Sequence, residues 1–126
     1  MLVLAAALAG CGTERNTDVK GFTQKAQSPA EAAILSSIAT YRTTEDPAAG
    51  CRLVTQKFLD GRFEGEADNC RQVLREASRH LPDTADVASV SGDTARVLVD
   101  EPTATKSIYE MRRDGGTWKI DDIVEQ

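Results

Sequence analysis

The hydrophobic period of this chain changes once, near Asp86, and that change limits the fold more than any other feature. Before it, apolar residues recur every three or four positions. Ile34, Leu35, Ile38 and Tyr41 share one helical face, and Cys51, Val54, Phe58 and Leu59 share another. After it, apolar and polar residues alternate, as in Thr94 to Asp100, which puts the apolar set on one face of a strand. Helices in a run, then strands in a run, fold as α+β, with the helices covering one face of the sheet. Three helices are expected. Ser28-Pro29-Ala30-Glu31 opens the first, with Ser as N-cap, Pro at the first helical position and Glu at the third. Asp46-Pro47 opens the second, which ends at Gly61. Asp68 caps the third, which carries Cys70, Val73, Leu74 and Ala77 and stops near Pro82. Strands over 87–91 and 94–100 flank Gly92-Asp93, a two-residue hairpin turn; strands over 103–113 and 117–124 flank Asp114-Gly115-Gly116. The four strands form an antiparallel meander, and residues 28–126 make one domain. Aromatic residues are 5% of the chain, so the core must rest on Ala, Val, Leu and Ile.

The N-terminus speaks of location. Leu2 to Ala9 is an unbroken apolar run, too short to span a bilayer, which takes ~20 residues, but right for the apolar region of an export signal. Leu8-Ala9-Gly10-Cys11 follows at once and resembles the bacterial lipobox. The small Ala9 and Gly10 let extended backbone enter a narrow protease cleft. The resemblance implies removal of residues 1–10, acylation of the Cys11 thiol, and display outside the cytoplasm on the bacterial cell membrane. No Lys or Arg follows Met1; the basic residues of such a signal are expected upstream, unless export relies on the terminal amine. Gly12 to Gln27 is polar, with Val19 and Phe22 its only large apolar residues, and reads as a flexible tether. Residues 11–27 would then be the lipidated Cys and its leash.

Of three cysteines, Cys11 is taken by the lipid. Cys51 and Cys70 are expected to pair, as an even remainder does in an exported protein. A zinc site would have only His80 to add to two thiols, short of four ligands, so no metal or cofactor is expected. His80, beside Leu81-Pro82, reads as a cation at a helix end. A formal net charge of −5 argues against a nucleic-acid partner, which needs clustered Lys and Arg.

The run SPAEAAILSSIATY (28–41), the Cys-x-Leu-x-Thr-x-x-Phe-Leu stretch (Cys51 to Leu59), Cys70 and the closing Asp-Gly-Gly-Thr-Trp-Lys-Ile-Asp (Asp114 to Asp121) together resemble the nuclear transport factor 2-like superfamily, in its small exported lipoprotein form. The resemblance covers about residues 28–126. It implies a cone: helices on the concave face of a strongly curved sheet, with a pocket between. The superfamily includes isomerases and dehydratases that use buried acids and bases, so the pocket residues decide between classes. Tyr41, Tyr109, Trp118 and Asp122 are the candidate lining, with Asp121 the alternative to Asp122, since neighbours on a regular strand face opposite ways. An inward Asp beside Trp118 and Tyr109 could act as a base; an Asp at the rim could not. Arg71, Arg75 and Arg79 recur every four residues and read either as a solvated helix face or as a contact for anionic lipid headgroups. Arg96, Lys106, Glu110 and Lys119 would lie on the outer sheet face, leaving monomer and dimer both open. The leading expectation is a non-catalytic envelope module that binds a small apolar ligand or an envelope protein. The alternatives are a small isomerase- or dehydratase-like enzyme using the same pocket and, by fold analogy, an accessory domain of cell-wall enzymes.

Overall fold

The computed structural model describes residues 18–126. The apolar run, the lipobox with Cys11 and the first part of the expected tether lie outside them. Five helices precede four strands: α1 (Val19–Thr23), α2 (Pro29–Thr43), α3 (Pro47–Cys51), α4 (Gln56–Arg62), α5 (Ala67–Glu76), then β1 (Thr84–Ser91), β2 (Thr94–Asp100), β3 (Lys106–Asp114) and β4 (Thr117–Glu125). The strands form one antiparallel sheet in the order β1-β2-β3-β4. The described residues are therefore α+β, helices first, with a four-stranded meander, but with five helices among them rather than three. No helix among the described residues is long and apolar enough to cross a membrane.

The strongest local signals lie where they were expected. Ser28 caps α2 by accepting from the Glu31 amide, with Pro29 at the first position. Asp46 caps α3 through the Ala48 amide, ahead of Pro47. The second hairpin turns on Gly115 and Gly116, at φ of 62° and 84°. That left-handed pair matches the twist of the strands it joins and strains any residue with a Cβ.

The departures have physical causes. The expected second helix breaks after Cys51 because the edge of β4 competes for its backbone. Leu53 C=O accepts from the Ile120 amide and the Thr55 amide donates to Ile120 C=O, a parallel bridge centred on Val54. Thr55 then caps a fresh helix, α4, through the Phe58 amide. Gly61 does not end that helix; the chain turns at Glu64 and Gly65, both at positive φ. Asp68 lies inside α5 rather than capping it, and α5 stops at Glu76. From Ala77 the backbone is extended, carrying Leu81 and Pro82 into the interior and Asp83 to β1's start through a bond to Asp100 C=O. Burying Leu81-Pro82 requires this, because a residue before proline is disfavoured in helical conformation. Finally, Val19 to Thr23 is helical, and Phe22 and Ala26 pack on the core. Packed structure thus begins well before Ser28, inside the stretch expected as tether.

The core lies between α2, α4 and the inner sheet face. Ile34 and Ile38 of α2, Val97 of β2 and Ile120 of β4 are fully buried, with Met111, Tyr109 and Trp118 beside them. Cys51 and Cys70 form a disulfide that joins the end of α3 to the first turn of α5, with a Cα–Cα distance of 6.1 Å. Gly50 allows that approach: a Cβ there would stand 2.7 Å from Leu74 Cδ1.

Candidate functional site

A cluster of part-buried polar side chains lies at one end of the sheet, where the last turn of α2 meets the β2–β3 connection. Arg42 is the centre. Its Nη1 and Nη2 each donate to one carboxylate oxygen of Glu101, both at 2.8 Å. Nη1 also donates to the Tyr109 hydroxyl at 3.2 Å, and Nη2 lies 3.4 Å from His80 Nδ1. Neither member of the Arg42–Glu101 pair is more than 17% exposed. Burial opposes the guanidinium charge, but Glu101 and the Tyr109 oxygen outweigh it and hold Arg42 above its ordinary range. A bidentate pair of this kind is strong and directional. It also neutralises itself, so it presents neither a free base nor a free acid.

The four expected lining residues do not converge on one cavity. Tyr109 borders a hollow of about 290 Å³ with His80, Glu101 and Ser107. Tyr41 borders a separate notch of about 180 Å³ with Leu74 and Arg79, its ring edge-on to Phe58. Trp118 is packed in the core, 4% exposed, with the Arg113 guanidinium over its ring. Asp122 faces outward, opposite Glu110, and accepts from the Ile123 amide. The cause is a β-bulge: Glu110 pairs with Asp122 and Met111 with Ile120, which leaves Asp121 as the extra residue. Asp121 accepts the Thr55 hydroxyl at 2.8 Å and lies near Lys57 and Arg112. Asp122 faces outward and Asp121, 13% exposed, is engaged by Thr55, Lys57 and Arg112, so neither is a free carboxylate for the inward general base weighed from sequence.

The other sequence candidates also scatter. Arg71 pairs with Asp68 on α5, and Arg75 is exposed on the same helix. Arg79 lies beyond the helix end and donates to Thr44 C=O, so the three arginines do not make one helical stripe. His80 is four residues past α5 and faces Arg42 instead of capping that helix. The outer sheet face carries Arg96, Lys106, Glu110 and Lys119, but a row of Leu98, Ile108 and Val124 crosses it too, with Leu98 and Val124 over 40% exposed.

Arg42 and Glu101 were missed in the sequence. Arg42 had a signal: it stands eight residues after Ile34 and four after Ile38, on the buried face of α2. Glu101 had none, being 59 positions away in a turn.

The tyrosines give a test of this end of the fold. Burial and the neighbouring Tyr109 push Tyr41 up to about 12, and burial raises Tyr109 as well. A phenol that ionises later in the folded state than in the unfolded state leaves stability unchanged below pH ~10. Stability is then lost as pH rises toward 12, by about 2 to 3 kcal/mol for Tyr41 alone. The chain has two tyrosines, so tyrosinate absorbance reads both. They should titrate together with alkaline unfolding; a phenol titrating near pH 10 in folded protein would contradict this packing.

No protein-family model, no curated protein and no solved structure matches this chain.

Proposed function

We propose that this chain is a membrane-anchored extracytoplasmic bacterial lipoprotein, acylated on Cys11, whose nuclear transport factor 2-like domain is a non-catalytic binding module of the cell envelope. The anchor rests on the apolar run and Leu8-Ala9-Gly10-Cys11, and the Cys51–Cys70 disulfide suits an oxidising compartment. The cone-type fold is supported by helices packed on one face of a four-stranded meander that ends in Gly-Thr-Trp-Lys-Ile-Asp. One observation carries the binding role over the enzyme role. The inward side chains of β3 and β4 are packed under α2, and the ionisable groups at the cone's end, Arg42 and Glu101, satisfy each other. An isomerase or dehydratase of this architecture needs an ionisable group free to exchange a proton with a bound substrate.

Native mass spectrometry of protein purified from its own membrane tests the reading. The expected species begins at Cys11, carries a diacylglyceryl group and lacks two hydrogens for the disulfide. Cys11→Ala should shift the protein out of the membrane fraction. A soluble species that keeps residues 1–10 would overturn the anchor.

A further inference from the structure

A larger hollow than the one beside Glu101 and Tyr109 lies elsewhere on the described surface. It is an open groove of about 600 Å³ between α2, α3 with the connector that follows it, and the start of β4. We infer that this groove binds a small polyhydroxylated anion, a sugar acid or sugar phosphate. This rests on the binding-module reading above and gives it a site and a ligand class.

The hydroxyls come first. Ser36, Ser37 and Thr40 line one wall from α2, and Thr117 faces them from β4. On the same helix Thr43 bonds back to Ala39 C=O, the usual resting place of a helical hydroxyl. Ser36, Ser37 and Thr40 make no such bond, and none of the four hydroxyls has a hydrogen-bond partner among the described residues. Ser37 is the telling one. Its residue is 8% exposed, yet its oxygen is not sealed from solvent, so what remains open is the side toward the groove. A hydroxyl with no protein partner that opens onto a groove is free to bond a ligand that both donates and accepts.

The backbone adds a second donor and acceptor. Ile120 turns both its N–H and its C=O to the 53–55 segment. Two residues earlier, Trp118 turns its pair to the same edge, between the lining residues Thr117 and Lys119. There the facing chain has coiled into α3, so strand pairing does not continue.

Charge decides the ligand class. Arg52 is exposed and makes no ion pair among the described residues; Lys119, 26% exposed, meets Asp114 at 3.5 Å and keeps further donors. These are the groove's two ionisable side chains, both cationic, in a chain of net charge −5. An anion between them makes charge-assisted bonds, and Ala49, Leu53 and Val54 offer an apolar patch for the face of a ring. The volume falls within the ~300–1,000 Å³ of small-molecule sites.

Trp118 is the chain's one tryptophan and lies beside the groove, so its fluorescence is the readout. The mature acylated protein in detergent micelles is titrated with glucuronate, glucose 6-phosphate, glucose and inorganic phosphate. A saturable change is expected with glucuronate or glucose 6-phosphate, and whichever binds more tightly identifies a carboxylate or a phosphate ester. Glucose and inorganic phosphate should bind weakly or not at all. Arg52→Gln with Lys119→Gln should weaken binding by about tenfold or more, Ser37→Ala should weaken it several-fold, and Lys106→Gln, far from the groove, should leave it unchanged. No saturation with either anion, an equal response to inorganic phosphate, or indifference to the Arg52/Lys119 change overturns the site. Those failures leave the Cys11 anchor standing, because mass and fractionation test it separately.

Discussion

Replacing Cys51 and Cys70 together by alanine is expected to lower stability by about 3 kcal/mol. The bridge closes a loop across a sequence separation of 19, and in the chain-entropy account a loop of that size restrains the unfolded state by about this amount. For a domain of this size the melting temperature should fall by roughly 10–20 °C. The loss should be local before it is global. Helix α3 has five residues, too few to persist without tertiary support, and at Gly50 it lies close against Leu74 of α5. Thermal melts with and without reductant give the answer. If the reduced and oxidised proteins melt together, the bridge is an ornament on a contact that holds by itself.

Glu101→Ala is expected to cost about 2 to 3 kcal/mol, because it strips Arg42 of both short bonds and leaves the cation largely buried against Tyr109 and His80. The double change Arg42→Met with Glu101→Ala should cost less than Glu101→Ala alone. A buried ion pair replaced by an apolar chain of similar length is often nearly neutral, whereas a buried orphan charge is not. Urea denaturation of the two single variants and the double variant measures the coupling directly. Simple addition of the single costs would mean that the pair is wetter and looser than its geometry indicates.

How far the fold could be read from sequence depended on the range of the interactions. Ser28-Pro29, Asp46-Pro47 and Gly115-Gly116 act within a few residues, so their elements were readable at sight. The break after Cys51 was not, since its cause is the edge of β4 more than sixty residues on. Thr55, with an amide three residues later to cap, was the one local hint. The bulge at Asp121 is another case. Parity on a regular strand sent one of Asp121 and Asp122 inward, and a single extra residue turned Asp122 outward and left Asp121 bonded to Thr55. Helix α1 was hidden by composition, because Phe22 alone among polar neighbours carries no period, yet it finds the core. In the site, Arg42 was readable from the helical spacing that also gave Ile34 and Ile38, while Glu101 needed the folded chain.

Helix α1 also sets how far this domain could stray from a lipid on Cys11. A leash running to Gln27 would allow an excursion of ~50 Å from its anchor. With ordered chain already present at Asp18, seven peptide steps separate it from Cys11, and even drawn straight they span no more than ~25 Å. A folded body of about a hundred residues has a radius of gyration near ~13 Å, so an acylated Cys11 would confine it to a shallow hemisphere, its own width or so above the headgroups. Within that volume a partner fixed in the same membrane is met at an effective concentration set by geometry rather than by its abundance. A module acylated in this way could work with weak contacts, and it would sample the first layer above the bilayer, not the depth of the wall.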